Sequence, residues 1–528
     1  MPKVLIADKM SPKAAEIFRD RGVDVDEKPG MSPEDLMACI AAYDGLAVRS
    51  STKVTPELLD AAGNLKVIGR AGIGVDNINV PEATNRGVVV MNTPFGNSIT
   101  TAEHAIAMMM ALARNIPAAN ESTQAGKWEK SKFMGVEVHG KVLGIVGCGN
   151  IGQIVADRAQ GLKMRVMGFD PYLSDERARE LGIRKVELDE LFSKADFISL
   201  HTPLTDQTRG IGGKAAFDKM KPGARLINCA RGGLVDEAAL KEALESGKLA
   251  GAALDVFEEE PAKENPLFGM ENFVATPHLG ASTTEAQVNV AIQVAEQMSD
   301  FLLTGGVTNA LNMPSLSAEE APLLQPYMKL AEQVGGFAGQ ITESGLKKAR
   351  VEYEGHVAEL NTKPLTAVVL EGLLSPLMDS VNMVNAPVIA RERDIEVSEV
   401  KHDREGDYHT LIRLTVETDR GERTVSGTLF ANEAPRIVQI NDVKIEARLA
   451  KHMLYVTNDD KPGFIGALGS TLGEAGINIA RFSLGRPGDG DQGSTAVALV
   501  AVDQPVEKAV LDKINALTHV RQAKALAF

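Results

Sequence analysis

Three glycines in the first half of the chain have the spacing of a dinucleotide-binding turn. They lie in a run that follows a strand-like segment at 142–146 and opens a helical pattern, Gly147-Cys148-Gly149-Asn150-Ile151-Gly152. Such glycines let the backbone approach a pyrophosphate, while the start of the helix supplies N–H donors and positive partial charge. The same spacing is equally typical of a tight strand-to-helix turn without a ligand.

Asp170 favours the dinucleotide-binding interpretation over the ligand-free turn because it directly follows the next strand-like segment, 165–169. A carboxylate at this position accepts hydrogen bonds from both ribose hydroxyls of NAD and repels the 2′-phosphate of NADP. Its alternative role is to begin the turn that continues with Pro171, and this role is compatible with ribose binding. The two motifs together favour an NAD site.

Three further groups, Arg231, Glu260 and His278, each follow the carboxyl end of a strand-like segment. In open α/β sheets these ends converge on one crevice, where ligands bind. Hydride transfer from a 2-hydroxy acid needs a cation for the carboxylate, a base for the hydroxyl proton and a group that sets the pKa of the base. Arg231, His278 and Glu260 supply one of each.

Each of these three residues also has an ordinary structural explanation. Arg231 and His278 are equally typical of polar surface loops. Glu260 is the least distinctive, because Glu258 and Glu259 precede it and an acidic run is usually a solvated surface.

The segments that must position these groups alternate between strands and helices. Six strand-like segments between 142 and 276 are separated mostly by helical patterns, which predicts a doubly wound, Rossmann-like parallel sheet in an α/β protein. A smaller α/β unit precedes them, and a helical stretch at 283–302 returns the chain to it. We expect an NAD-binding domain at 98–281 and a discontinuous substrate domain at 1–97 and 282–312.

The second half of the chain has a different pattern after 312–322, which has linker composition. Residues 316–450 combine helices with alternating strands, so we expect an α+β domain there. Residues 452–528 show the strand-helix-strand-strand-helix-strand order of a ferredoxin-like βαββαβ domain.

Composition places the chain among large globular proteins, with 528 residues, 44% hydrophobic and 24% charged. A net charge of −15 disfavours a nucleic-acid or anionic-membrane surface. The three cysteines are too few and too far apart for a disulfide framework or a zinc cluster, and no metal site is expected. The N-terminus does not resemble a signal peptide, and no apolar stretch has membrane-spanning length, so we expect a cytoplasmic protein.

Three longer runs connect the candidate residues with a known family: MKPGARLINCARGG at 220–233, ALDVF at 253–257 and PHLGA at 277–281. Together they resemble the D-isomer-specific 2-hydroxyacid dehydrogenases, over the first three fifths of the chain. The resemblance implies a flavodoxin-like substrate domain and NAD-dependent oxidation of a D-2-hydroxy acid. It also favours Glu260 over its acidic neighbours as the partner of His278.

Further site residues follow from the same resemblance. The substrate contacts would be Arg49, Arg70 and Asn97, whose alternative explanation is surface arginines and a turn asparagine. A phosphorylated substrate needs several cationic or N–H donors, which such residues supply. The cofactor contacts would be Gly147, Gly149, Asn150, Ile151, Gly152, Asp170, Thr202, Cys229, Ala230, Asp255, His278, Gly280 and Ala281.

Residues 452–528 resemble an ACT domain, a sensor that commonly binds amino acids. A dehydrogenase followed by an intervening domain and an ACT domain resembles the long branch of the family. That resemblance implies oxidation of 3-phospho-D-glycerate with NAD in the first step of L-serine synthesis. It also implies a homotetramer, often with feedback control by L-serine.

Asn458, Asp460 and Asn478 are the candidate effector ligands. The first two end the first strand of the ACT-like unit and Asn478 begins the next strand, so we expect two amides and a carboxylate to meet. An amino acid offers an ammonium group for Asp460 and a carboxylate for amide or helix N–H groups. The alternative is that these residues only shape the turns of a dimerisation module.

Two other functions remain open at this point. Another D-2-hydroxyacid dehydrogenase, such as a hydroxypyruvate or glyoxylate reductase, would share the catalytic trio, but Arg49 and Arg70 argue against it. A non-catalytic, NAD-sensing corepressor would share the fold, but the ACT-like unit and the lack of a basic interaction tail argue against that function.

Overall fold

The computed structural model describes residues 1–317, 319–378, 380–402, 407–487 and 495–528. Its first lobe is a parallel sheet in the order β2-β1-β3-β4-β5. The strands are β1 (Lys3–Ile6), β2 (Asp24–Glu27), β3 (Gly45–Val48), β4 (Val67–Arg70) and β5 (Val89–Met91). The helices are α1 (Lys13–Asp20), α2 (Pro33–Cys39), α3 (Pro56–Ala61) and α4 (Val80–Asn85), with a 3-10 turn at Ile40–Ala42. This strand order is flavodoxin-like and confirms the expected fold.

Short apolar runs form the central strands of this sheet because helices cover both of its faces. All four residues of β3 are buried, whereas the edge strand β2 has no fully buried residue. Arg49 directly follows β3 and Arg70 ends β4. Both arginines therefore lie at the carboxyl edge of the sheet.

The second lobe is a seven-stranded parallel sheet in the order β12-β11-β10-β9-β6-β7-β8. Its strands are β6 (Val142–Val146), β7 (Arg165–Phe169), β8 (Arg184–Lys185), β9 (Phe197–Leu200), β10 (Ala224–Asn228), β11 (Leu249–Leu254) and β12 (Phe273–Ala275). Six of them match the predicted segments. The additional strand, β8, consists of two exposed basic residues at the sheet edge and so has no apolar pattern.

The helices of this lobe are α5 (Ser98–Ala113), α6 (Ile116–Gln124), α7 (Asn150–Gly161), α8 (Asp175–Glu180), α9 (Leu188–Lys194), α10 (Lys214–Lys219) and α11 (Glu237–Glu245). The strand order reverses between the neighbours β6 and β9, as in a Rossmann fold. The crevice outside the carboxyl ends of the strands at such a reversal is where α/β sheets bind ligands.

Helix α12 (Thr284–Thr304) returns the chain to the first lobe. Its Met298 and Val294 pack against Gly69 of β4, where an added Cβ would lie 2.2 Å from Met298 Sδ. Beyond α12, the side-chain Oδ1 of Asn312 accepts a hydrogen bond from Val90 N at 2.9 Å. The first lobe is thus discontinuous in sequence, as expected, while the domain boundaries proposed from the sequence stay predictions.

The third unit is a six-stranded mixed sheet in the order β14-β13-β15-β16-β17-β18. Its strands are β13 (Leu346–Gly355), β14 (Glu396–His402), β15 (Thr410–Thr418), β16 (Gly421–Phe430), β17 (Ala434–Ile440) and β18 (Val443–Ala447). Its helices are α13 (Glu320–Ile341), α14 (His356–Glu359), α15 (Thr362–Leu374) and α16 (Ala386–Glu392). Helices α13 and α15 cross closely at Gly335, where an added Cβ would lie 2.2 Å from Val369 O.

The last unit has the predicted βαββαβ order and the ferredoxin-like strand arrangement β20-β21-β19-β22. Its elements are β19 (His452–Asp459), α17 (Phe464–Glu474), β20 (Ile479–Gly485), β21 (Thr495–Val502), α18 (Lys508–Asn515) and β22 (Val520–Ala527). Within the described ranges, none of the helices combines the length and the apolar character that a membrane crossing requires.

Candidate active site

The glycine-rich turn leaves room for a pyrophosphate. Gly147 has φ 93°, a left-handed conformation that favours glycine, and an added Cβ would lie 2.6 Å from His201 O. Gly152 packs on the turn itself, because its added Cβ would lie 2.1 Å from Gly147 O. Gly149 instead faces open space, with no heavy atom within 4 Å of an added Cβ. The first and third glycines therefore build the turn, and the second one opens it to a ligand.

The start of α7 and the end of β7 supply polar groups beside this turn. The helix begins at Asn150 and receives no side-chain cap, so the first N–H groups, including that of Ile151, are free to bind an anion. Asp170 accepts hydrogen bonds from Cys148 N and Tyr172 N, both at 2.8 Å. These contacts hold the carboxylate of Asp170 against the glycine turn, where a ribose ligand is expected.

The segment after β10 brings Arg231 to the cleft between the lobes. Asn228 donates from Nδ2 to Arg231 O at 2.8 Å and accepts from Ala230 N at 3.0 Å, which fixes the shape of the turn. Arg231 Nε donates to Asp76 Oδ2 at 3.0 Å. Asp76 lies between β4 and α4, so this ion pair joins the two lobes across the cleft.

Asp255 anchors the turn that follows β12. Its side chain is fully buried and accepts hydrogen bonds from Thr276 Oγ1 at 2.6 Å, Leu279 N at 2.7 Å and Gly280 N at 2.8 Å. Burial raises the pKa of Asp255, but hydrogen bonds from His104, Thr276 and the two amides outweigh it and hold the pKa below its usual value. The carboxylate thus stays ionised and shapes the turn, while its direct contact with a cofactor stays a prediction.

His278 and Glu260 form a hydrogen-bonded pair. His278 Nδ1 lies 2.7 Å from Glu260 Oε2, and Glu260 Oε1 accepts from Phe257 N at 3.1 Å. The hydrogen bond to Glu260 raises the pKa of His278, against smaller opposing effects of burial and of the Arg231 charge. Burial raises the pKa of Glu260, but the bonds from His278 and Phe257 N outweigh it and lower the pKa overall. Of the three consecutive glutamates, the last therefore meets the histidine.

Arg49, Arg70 and Arg231 lie close together at the cleft. Burial, and after it the charges of Arg231 and Arg49, lowers the pKa of Arg70 to about 10. Arg70 Nε is buried and has no hydrogen-bond partner among the described residues. An added Cβ on Gly72 would lie 1.6 Å from Arg70 Nη1, so the glycine lets the guanidinium lie against the backbone. The carboxylates of Asp76 and Asp8 offset part of this positive charge.

The other predicted contact residues lie around the same edges. Asn97 precedes α5, and its buried Oδ1 lacks a hydrogen-bond partner within the described part of the chain. Cys229 is buried, whereas the remaining predicted cofactor contacts on these loops are partly exposed, namely Thr202, Ala230 and Ala281. Three crowded arginines are suited to an anionic ligand, and the unpartnered amide oxygen can accept a hydrogen bond from a hydroxyl group of the ligand.

Asp76, His104 and Thr276 also lie at the site but were not predicted from the sequence. Each contacts a site residue that is far away in the sequence, and no local motif marks any of them. The ligand atoms of His104, Cys229 and Asp255 lie within 4.8 Å of one another, but the carboxylate is already bonded to the turn. Asp76, His104 and Thr276 are therefore identified as site residues only by their contacts in the folded protein.

The expected meeting of the three candidate effector residues within one chain is wrong. Strands β19 and β20 both run antiparallel to β21 and hence run in the same direction. Asn458 is level with Ala496 near one end of β21, whereas Ile479, the neighbour of Asn478, is level with Val502 at the other end. At about 3.3 Å per residue, this places Asn478 roughly 20 Å from Asn458.

Asn458 and Asp460 lie at the same end of the sheet. Asn458 is buried, and its Oδ1 has no hydrogen-bond partner among the residues that the structure describes. Asp460 Oδ1 lies 3.3 Å from Arg486 Nε. At the opposite end, Asn478 Nδ2 donates to Asp503 Oδ2 at 2.7 Å.

Three family models match successive parts of the chain. The NAD-binding domain of the D-isomer specific 2-hydroxyacid dehydrogenases matches residues 106–280. The D-3-phosphoglycerate dehydrogenase intervening domain matches 323–441, and the ACT domain matches 452–519. The matches follow the same order as the units of the fold.

Whole-chain relatives agree with this order. The chain is 42% identical to D-3-phosphoglycerate dehydrogenase of Archaeoglobus fulgidus over 523 residues, which cover 99% of each protein. It is 41% identical to the Bacillus subtilis enzyme of the same name over 528 residues, 100% of this chain and 99% of the relative. A solved glyoxylate reductase from Paecilomyes thermophila has 30% identity and a TM-score of 0.55, covering 59% of this chain and 98% of its own. The chain therefore belongs to the D-3-phosphoglycerate dehydrogenase family, in the form that carries an intervening domain and an ACT domain.

Proposed function

We propose that this protein oxidises 3-phospho-D-glycerate to 3-phosphohydroxypyruvate with NAD, as the first step of L-serine synthesis. The observation that carries the proposal is the group of Arg49, Arg70 and Arg231 beside the His278–Glu260 pair. The substrate carries both a phosphate and a carboxylate, which complement several cationic donors. An unphosphorylated hydroxy acid would leave more of this positive charge unpaired.

The contacts of His278 support the proposal that it is the general base. Its Nδ1 is bonded to Glu260, so Nε2 is the atom that takes the proton of the C2 hydroxyl. Glu260 stabilises the imidazolium that this proton transfer creates, which is the reason why the pKa of His278 is raised. Arg231 holds the substrate carboxylate beside C2 and keeps the hydroxyl within reach of the base.

The residues of the second lobe fit NAD. Gly149 leaves space for the pyrophosphate, the uncapped start of α7 supplies N–H donors, and Asp170 accepts from the ribose hydroxyls. When bound, NAD supplies the nicotinamide ring that accepts the hydride from C2 of the substrate. Arg49, Arg70 and Asn97 would then bind the phosphate end of the substrate.

NADH absorbance with a panel of hydroxy acids tests this proposal. We expect kcat/KM for 3-phospho-D-glycerate to exceed that for D-glycerate at least about 100-fold, because the unphosphorylated acid offers no phosphate to the partly buried arginines. Similar values for both acids, or faster reduction of glyoxylate, would instead favour another D-2-hydroxyacid dehydrogenase. NADH binding without turnover of any acid would favour the corepressor function.

We also propose that L-serine binds at the ACT unit and that the protein is a homotetramer. Asp460 would bind the ammonium group of serine, and the buried, unpartnered Oδ1 of Asn458 supports a ligand at this end of the sheet. Asn478 lies at the opposite end, so a second subunit would have to supply it to the same ligand. Effector binding would then depend on assembly.

Mixed assemblies test this second proposal. L-Serine should bind the wild type in calorimetry, and Asp460→Ala and Asn478→Ala should each abolish binding. If the two residues act from different subunits, assemblies that contain both variants should regain part of the binding, since some interfaces then keep both native residues. No binding to the wild type at millimolar serine would contradict the effector site. The molar mass measured by light scattering would show whether the protein is a tetramer.

A further inference from the structure

We propose that His104 is a positioning residue for the oxidation, because it holds Asp255 and thereby the turn that carries His278. This inference depends on the proposed function only where it is tested by kinetics with 3-phospho-D-glycerate. His104 lies on α5, and its Nε2 is 3.2 Å from both Asp255 Oδ1 and Thr276 Oγ1. Its contacts therefore connect α5 with the end of β11 and the end of β12.

The hydrogen positions in this group follow from the chemistry of its members. The ionised carboxylate of Asp255 can only accept, so the hydrogen between it and His104 must be on Nε2. Thr276 Oγ1 donates to Asp255 Oδ1 at 2.6 Å, and its oxygen can accept from the same Nε2–H. A residue that replaces His104 must donate a hydrogen bond at this point to preserve the group.

Asp255 supports His278 through its backbone as well as its side chain. The carboxylate accepts from Leu279 N and Gly280 N, and the Asp255 carbonyl accepts from His278 N at 2.9 Å. His278 itself has φ 55°, a left-handed conformation that a non-glycine residue seldom adopts. Such a conformation persists only where the surroundings enforce it. Asp255 provides this support.

His104 makes a contribution that the other donors cannot replace. The remaining described donors to the carboxylate are Thr276, Leu279 and Gly280, which belong to the turn that the carboxylate must hold. His104 comes from α5 and ties the carboxylate to a separate element. Because Asp255 has 0% exposure, bulk water does not replace a lost donor. Without His104, no side chain outside the turn, of those that the structure describes, would hold the carboxylate, and only the backbone hydrogen bond from Asp255 N to Asn228 O would keep the residue in place.

Two substitutions separate a positioning role from a general need for a side chain. His104→Gln keeps a donor near the position of Nε2, whereas His104→Leu removes it. We expect His104→Leu to lower kcat with 3-phospho-D-glycerate about tenfold, because small displacements of a base cost large factors in rate. His104→Gln should recover most of the loss, and KM should change little in either variant. His139→Leu, at an exposed histidine of the same lobe, is the matched control.

Hydrogen exchange provides a readout that does not depend on activity. The amides of Leu279 and Gly280 should exchange faster in His104→Leu than in the wild type, but not in His104→Gln or His139→Leu. Native kcat and native exchange in His104→Leu would overturn the proposal. Equal losses of kcat and melting temperature in the Leu and Gln variants would also overturn it, since they indicate packing alone. A wild type without activity on 3-phospho-D-glycerate would contradict the proposed function, while exchange would still test His104.

Discussion

Glu260 Oε2 lies 2.7 Å from Nδ1 of His278, and this contact governs the protonation of the candidate base. The hydrogen bond raises the pKa of His278 and directs its free nitrogen, Nε2, towards proton transfer. A histidine takes up a proton only in its neutral form. With His278 as the proposed base, its pKa would set the pH above which oxidation becomes fast.

Glu260→Gln should move the acidic limb of the pH–rate profile to lower pH. The substitution removes the negative charge that raises the pKa of His278, so the imidazole becomes neutral at a lower pH. The measurement is kcat/KM for oxidation as a function of pH. Glu259→Gln is the control, because it removes the same charge from the neighbouring position. An unshifted limb in Glu260→Gln would exclude Glu260 as the partner of His278.

His278→Ala should lower kcat at least about 100-fold, the usual scale for a positioned general base. NADH affinity, measured by fluorescence, should stay close to that of the wild type because His278 is only one of the predicted cofactor contacts, and the glycine turn after β6 and Asp170 after β7 are unchanged. His139→Ala controls for the loss of a histidine ring at an exposed position. Turnover within a few-fold of the wild type would remove His278 from the mechanism.

The position of the Asp170 carboxylate beside the glycine turn predicts a strong preference for NAD over NADP. Its carboxylate is held by Cys148 N and Tyr172 N, and a 2′-phosphate beside it would be repelled. Asp170→Ala should therefore reduce the ratio of kcat/KM for NAD to that for NADP. Asp175→Ala removes an exposed carboxylate from the same lobe and should leave the ratio unchanged. Equal efficiency of the wild type with both cofactors would contradict the assignment.

Two glycines of the turn should respond to substitution in different ways. Gly149→Val should weaken NADH binding with little change in melting temperature, because the added side chain enters open space. Gly152→Val should lower the melting temperature, because its Cβ would lie 2.1 Å from Gly147 O. Gly161→Val, at the far end of α7 with no heavy atom within 4 Å of an added Cβ, is the control for binding. Undisturbed NADH binding in Gly149→Val would place the pyrophosphate elsewhere.

Arg70→Met should raise KM for 3-phospho-D-glycerate at least about tenfold, the effect of losing one charged hydrogen-bonding partner. The melting temperature should stay constant or rise, since the substitution removes a partly buried charge that lies beside two other arginines. Initial rates of NADH formation measure KM, and a thermal shift assay measures the melting temperature. Arg19→Met, at an exposed ion pair of the same lobe, is the control. An unchanged KM would assign the phosphate to other residues.

Features that depend only on neighbouring residues could be predicted from the sequence. The glycine turn after β6 and Asp170 after β7 need only a few consecutive residues, because strand, turn and helix preferences act locally. Fully buried parallel strands were visible as apolar runs for the same reason. The exposed edge strand β8 was not visible, since no apolar pattern marks it.

Contacts between residues that are distant in the sequence could be found only in the folded protein. Arg231 pairs with Asp76 of the other lobe, and His104 reaches Asp255, although no local pattern links the members of either pair. In the last sheet, strand direction places Asn478 at the end opposite Asn458. Such contacts follow from strand order and from the packing of one lobe on another. Both are set by the burial of apolar surface across the whole chain, which no short window of sequence contains.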